Sequence, residues 1–159
     1  MLDRSEIKKI LLNSKIVKVF RFCEIACFVF ETVDKRQFHL HVSCFIRIID
    51  SDRKIVTCTA NMYERSKSFH KKWYQKYDWS KFGTTVYDEA IKDHEDKLLS
   101  ANVSCITFEN NDLSIFLNNG MRIDIFASVS KYDDTEYSED YRIFEKGKLD
   151  EHFEVPSTY

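Results

Sequence analysis

The chain has 159 residues, with 24 Lys+Arg against 26 Asp+Glu and a formal net charge of -2, a length that suits one core and is short for two. So even a balance selects neither nucleic acid nor an anionic membrane as partner. Three glycines and one proline leave no room for a phosphate-cradling Gly-rich loop, a collagen-like repeat or a Pro/Gly-rich linker.

In chain order, Ile7, Ile10 and Leu11 fall at helical spacing with Asp3 or Ser5 available as a cap, which predicts a short opening helix. From Lys15 the residues turn β-branched and aromatic, Ile16 to Phe22 and then Ile25 to Phe30, and two strands are expected. A turn at Thr32 to Lys35 leads into Gln37 to Ile49, read as one long alternating strand, and the Asp50 to Arg53 turn into its neighbour, Lys54 to Met62. Between Tyr63 and Thr85 the periodicity dissolves into charged and aromatic residues, a long loop of the kind that often carries function. Val86 to Leu99 reads as one helix capped by Thr84 or Thr85, with Asp88 and Glu89 near its positive end. Strands follow at Val103 to Phe108, Leu113 to Leu117 and Met121 to Phe126. The last two are joined by Asn118-Asn119-Gly120, where Asn and Gly both tolerate positive φ. Tyr141 to Phe144 and His152 to Val155 close the chain around Gly147. Residues 1–159 are thus expected to form a single α+β domain, mainly antiparallel β-sheet of about seven to nine strands, with an N-terminal helix and one central helix.

The five cysteines are odd in number and mostly inside apolar runs, which fits free thiols in a reducing compartment. Cys23 and Cys27 would share a face of an alternating strand, but no second pair completes a zinc site, so no metal or other cofactor is expected. No stretch approaches the ~18 apolar residues of a membrane span, and the first residues lack a basic region followed by an apolar one. The chain reads as cytoplasmic.

His39 and His41 lie two apart on a strand and share a face, with Phe38, Leu40 and Val42 on the opposite, buried one. A metal there needs a third ligand from His70, His152, Asp78 or Asp88; paired strand histidines are more often hydrogen-bonded surface or interface residues. A metal-independent nuclease would take His39 or His41 as general base, His152 as acid and Arg47, Lys72 or Arg142 as stabiliser. Cys44 is an odd number of residues from both histidines and falls on the other face. The aromatic and basic run from Phe69 to Phe82 has the ingredients to stack single-stranded nucleic acid or to bind protein, and the even overall charge tilts it toward protein. A third reading docks Trp79 and Phe82 on the sheet with the lysines in water. From Tyr63 to Phe82 basic residues outnumber acidic ones six to two, and from Lys131 to Tyr159 acidic outnumber basic nine to four.

Four segments, taken in order, resemble a family of small bacterial immunity-type proteins found beside polymorphic or contact-dependent growth inhibition toxins. They are Phe38 to Ile48 with its histidine, cysteine and arginine; Met62-Tyr63 with Asp78-Trp79-Ser80-Lys81-Phe82-Gly83 and Tyr87-Asp88-Glu89; the strands around Asn118-Asn119-Gly120 running into Ile123-Asp124-Ile125-Phe126; and Tyr141-Arg142-Ile143-Phe144 with Gly147 and His152-Phe153-Glu154-Val155. The sequence departs from the pattern with Tyr141 where tryptophan is usual, Phe45 where proline is frequent, and a more basic insert from Arg65 to Lys76.

The resemblance implies a non-enzymatic cytoplasmic protein that neutralises a cognate toxin domain by stoichiometric contact. It makes His41, Arg47, Trp79, Gly83, Asp88, Tyr141, Arg142, Phe144 and His152 the scaffold of the shared motifs. Toward a basic toxin the natural face is Asp133, Asp134, Glu136, Glu139, Asp140, Asp150 and Glu151. Toward an acidic one it is Arg65, Lys72, Trp73 and Lys76. The alternative is the small nuclease or nucleic-acid binder built on His39, His41 and the 69–82 loop.

Overall fold

The computed structural model describes residues 2–70, 77–128, 139–148 and 151–156. The opening helix α1 (Arg4–Leu11) is capped by Asp3 rather than Ser5: Asp3 Oδ1 accepts from Glu6 N at 2.8 Å and Glu6 Oε2 from Asp3 N at 2.7 Å, so two otherwise unpaired donors are met by one pair of carboxylates. Ile7 and Leu11 are its buried residues. Strands β1 (Lys15–Phe22) and β2 (Ile25–Glu31) pair across a turn at Cys23-Glu24 in which Cys23 has φ +50. Cys23 therefore sits in the turn, and the expected common face with Cys27 does not form.

The stretch Gln37 to Ile49 is two strands, β3 (Gln37–Val42) and β4 (Phe45–Ile49), in different sheets. The chain turns a corner at Ser43-Cys44, where the Asp140 carbonyl accepts from both amides, at 2.8 and 3.1 Å. Alternation runs through the corner without a slip: Phe38, Leu40 and Val42 are buried before it and Ile46 and Ile48 after it, so the sequence period shows no break. Strand β5 (Ile55–Cys58) stops early, because residues 59–62 wind into a 3-10 turn in which Asn61 Oδ1 accepts from Cys58 N at 3.2 Å.

A short helix α2 (Lys67–His70) interrupts the expected loop. The expected central helix is two, α3 (Val86–Asp93), capped by Thr85, and α4 (Glu95–Leu99). They part at His94, whose backbone leaves helical geometry while its Nδ1 lies 3.0 Å from the Ala90 carbonyl. Strands β6 (Val103–Glu109), β7 (Asp112–Leu117), β8 (Arg122–Phe126), β9 (Glu139–Glu145) and β10 (His152–Pro156) complete the fold. In the β7–β8 turn only Gly120 takes positive φ, +86. Asn119 acts instead through its side chain, accepting from Met121 N at 3.1 Å and donating to the Lys97 carbonyl at 2.8 Å.

The fold is α+β and mostly β, with ten strands and four helices among the described residues, slightly more of each than periodicity shows. The first sheet has the order β1-β2-β3-β9-β10 and the second β5-β4-β8-β7-β6, every pairing antiparallel. Their inward faces share one hydrophobic cluster, with Phe28, Leu40 and Ile143 from the first, Ile48, Ile115 and Ile123 from the second, and Ile7, Tyr87 and Leu98 from the helices. Each such aliphatic or phenyl side chain contributes about 1.5–3 kcal/mol by leaving water. Two contacts join the layers at one end: Tyr141 Oη donates to the Asn111 carbonyl at 2.7 Å, and the Phe108 and Phe153 rings lie 5.6 Å apart.

Candidate functional site

With Phe38, Leu40 and Val42 inward, His39 and His41 point out of the first sheet. The register then decides their company. His41 pairs with Cys27 and Arg142, Cys27 with Phe20, and Arg142 with Glu154; His39 pairs with Val29 and Phe144, Val29 with Lys18, and Phe144 with His152. Two rows of side chains thus cross all five strands. The Phe144 ring is the hub: His39 stacks on it at 5.3 Å, His41 meets it edge-on at 5.0 Å, and the Arg142 guanidinium lies 5.1 Å from its centroid. His152 Nε2 is 2.7 Å from Glu154 Oε2. Although outward, Cys27, Val29 and Phe144 are nearly buried by these neighbours. Beside them an open depression of about 340 Å³ is lined by Val17, Lys18, Phe20, Val29, Gln37, His39 and Lys146.

The electrostatics of the two histidines run in one direction. Burial, reinforced by Lys146 and Lys18, holds His39 below its ordinary value, and burial with Arg142 and His39 does the same to His41, so both rings are neutral at pH 7. His39 Nε2 is buried without a hydrogen-bond partner among the described residues. An acid–base pair needs environments that drive two pKa values apart, and here both fall together. His152, the expected acid, is two strands from His39, roughly 9–10 Å of sheet, with Phe144 between them. Among the described residues no group of three or more His, Cys, Asp or Glu is placed to hold a metal ion.

Asp88 and Gly83 belong to a different construction. Asp88 Oδ2 accepts from Arg21 Nη2 at 2.8 Å, from the amides of Gly83, Thr84 and Thr85 at 2.9, 3.1 and 3.1 Å, and from Thr85 Oγ1 at 2.8 Å, while Oδ1 accepts from Arg21 Nε at 3.0 Å. Arg21 also donates to the carbonyls of Cys23 and Lys81. Both side chains are buried, at 0% and 1% exposure. Burial alone would raise the Asp88 pKa, but the bonds from Arg21 and Thr85 outweigh it and hold the carboxyl below its ordinary range. This ion pair ties the end of the loop to the β1–β2 hairpin. The expected hydrophobic docking by Trp79 and Phe82 is corrected, since those side chains are 38% and 49% exposed, with Trp79 leaning on Tyr63 at 5.4 Å. Arg21 is a structural residue that sequence motifs do not mark; its one signal is a lone guanidinium inside the apolar Val19-Phe20-Arg21-Phe22.

The remaining expectations scatter. Tyr141 is a core residue, and Arg47 lies on the second sheet, its Nε 3.0 Å from Asp124. Asp133, Asp134, Glu136 and Asp150, and with them Lys72, Trp73 and Lys76, lie outside the described residues. Asp140 is 4% exposed, its carboxylate oxygens accepting from Ser128 N and Oγ at 2.7 and 3.0 Å, so its carboxylate anchors the chain after β8 rather than facing a partner. Glu139 is 3.4 Å from Arg142 Nε, and Glu151 is exposed near Lys148. Arg65 lies over the Phe69 and Tyr77 rings at 5.0 and 5.6 Å. Of the motif residues, then, only His41, Arg142, Phe144 and His152 share one surface, joined by the unforeseen Cys27, Phe20 and Lys18.

Among the described residues no helix is long and apolar enough to cross a membrane. Comparison with protein-family models, with curated proteins and with solved structures finds no match.

Proposed function

We propose that this chain is an immunity-type protein, which binds a cognate toxin domain and neutralises it by stoichiometric contact over the outer face of its first sheet. The observation that carries this reading is the pair of cross-strand rows centred on Phe144. They present aromatic, imidazole and guanidinium groups on a five-stranded support and hold them in place before any partner arrives. Aromatic and arginine side chains dominate protein–protein hot spots, and a surface already ordered loses little entropy on binding. The common downward shift of His39 and His41 favours contact over acid–base chemistry. Under this reading the protein acts in the cytoplasm, where its cysteines stay reduced.

The test is calorimetric titration of the purified chain with the toxin domain encoded by the adjacent gene, alongside rescue of growth on co-expression. A 1:1 complex is expected, weakened about tenfold or more by Arg142→Ala or His41→Ala with the fold intact by circular dichroism. Absence of both complex and rescue overturns the proposal, and a complex indifferent to both substitutions overturns the assignment of the face.

A further inference from the structure

A second arrangement, on the outer face of the second sheet, is used by nothing above. Ile46, Ile48, Ile123 and Ile125 point inward, so Arg47, Arg122 and Asp124 point out. Asp124 is 3% exposed. Its Oδ2 accepts from Arg47 Nε at 3.0 Å and from Arg122 Nε at 3.1 Å, and its Oδ1 from Ser114 Oγ at 2.8 Å. Both guanidinium groups are thus held by the Nε edge on one buried carboxylate. Each also lies over a ring, Arg47 at 4.9 Å from the Phe126 centroid and Arg122 at 5.6 Å from that of Phe116. The Nη groups of both arginines find no hydrogen-bond partner among the described residues, and the side chains are 35% and 37% exposed.

An ion pair that served only stability would need one arginine. Placing two on one carboxylate costs mutual repulsion and leaves a surplus positive charge, with rigid, planar donor edges turned to water. We propose that Arg47 and Arg122 form a fork for a carboxylate, the aspartate or glutamate side chain of a protein partner. The site is separate from the first-sheet face and holds whether or not that partner is a toxin.

Two observations favour a single protein carboxylate over a phosphate backbone. Around the fork, Asp50 and Arg53 line a depression with Arg122, and Asp112 accepts from Ala127 N beside the Phe126 ring; with Arg47, Arg122 and Asp124 these are three cations against three carboxylates, and 3 - 3 leaves no surplus charge, whereas a nucleic-acid groove needs many positive ones. The site is also flanked by exposed apolar side chains, Phe45 at 47% on the Phe126 side and Ile55 at 60% on the neighbouring strand β5, which suit an acidic residue set among hydrophobic ones.

The test is a nuclear magnetic resonance titration of the arginine Nε–Hε signals with the capped tripeptide acetyl-Phe-Glu-Phe-amide, with its Gln counterpart, with inorganic phosphate and with a single-stranded oligonucleotide. Saturable shifts of the Arg47 and Arg122 signals are expected with the Glu peptide. The Gln peptide should bind about tenfold more weakly, the amount a charge-assisted bidentate contact contributes. Arg122→Lys and, independently, Arg47→Lys keep the charge and lose the fork, and each should lower Glu-peptide affinity about tenfold at unchanged melting temperature. Equal binding of the Glu and Gln peptides, tighter binding of phosphate or the oligonucleotide than of the Glu peptide, or indifference to both lysine variants would each overturn the proposal.

Discussion

Replacing Asp88 by Asn changes one atom of a buried side chain, and the structure makes that change costly. The carboxylate accepts six hydrogen bonds, two from Arg21 and four from Gly83, Thr84 and Thr85. An Asn amide keeps one oxygen and turns an NH2 group toward N–H donors. With the nitrogen at the Oδ1 position Arg21 loses its Nε bond, and with it at Oδ2 the three loop amides and Arg21 Nη2 all lose their acceptor; either way Arg21, at 0% side-chain exposure, has no water to turn to. Removing one member of a buried pair costs about 3–5 kcal/mol, which for a chain of this length lowers Tm by roughly 6–20 °C. Arg21→Met should cost less, because Asp88 keeps four donors from the 83–85 loop, whereas in Asp88→Asn the buried guanidinium keeps its charge with no carboxylate to balance it, held by one amide oxygen and the carbonyls of Cys23 and Lys81. Urea unfolding at pH 7 measures both, and trypsin cleavage after Lys81 reports whether the loop has come free. The pair also sets an acid limb. Asp88 sits below its ordinary value of 3.8 in the fold, so the unfolded chain takes up this proton first as pH falls past that value; the stabilisation is complete above it, declines below it and is gone under the folded pKa. Asp88→Asn should remove that part of the pH dependence. A loss under about 1 kcal/mol, or a larger loss in Arg21→Met than in Asp88→Asn, would refute the reasoning.

Two buried tyrosines should respond oppositely to loss of the hydroxyl: Tyr141→Phe removes the bond to the Asn111 carbonyl and costs about 0.5–1.5 kcal/mol, whereas Tyr87→Phe relieves a hydroxyl buried without a partner among the described residues and raises stability by about 1 kcal/mol. Urea midpoints that move the same way in both variants would contradict this. His39 and His41 are held below 6.5 in the fold, so as pH falls past 6.5 the unfolded chain protonates first and stability drops. His39→Gln with His41→Gln should flatten the slope between about pH 5.5 and 7, and imidazole C–H signals titrating above 6.5 would refute it. Alkylation by iodoacetamide at pH 8, followed by mass spectrometry, should label exposed Cys105 first. Burial pushes the Cys27 thiol up to about 11 and the Cys44 thiol up to about 12, so both should lag at least about tenfold, and labelling of either as fast as Cys105 would count against the site description.

The sequence by itself determined the local chemistry of this protein: an opening helix beginning beside Asp3 and Glu6, a helix start at Thr85 and Asp88, a turn at Gly120, and the alternation that puts His39 and His41 on one face and Leu40 on the other. Each of these depends on residues a few positions apart, so pattern reveals them. The corner at Ser43-Cys44 escaped because the even-numbered residues stay inward on both sides of it, and a period that does not slip carries no mark of a change of sheet. The helix break at His94 escaped because a ring nitrogen on a carbonyl, not a Gly or Pro, accompanies it. Tertiary structure alone decided the partners. Arg21 meets Asp88 across 67 positions and Arg47 meets Asp124 across 77. Arg142, Phe144 and His152 join the histidines only because β9 lies between β3 and β10, in a register where Leu40 pairs with Ile143 inside the core. Strand pairing is chosen by which apolar faces the whole chain can bury together, a property of no single segment, and so the surface of this protein was assembled by its core.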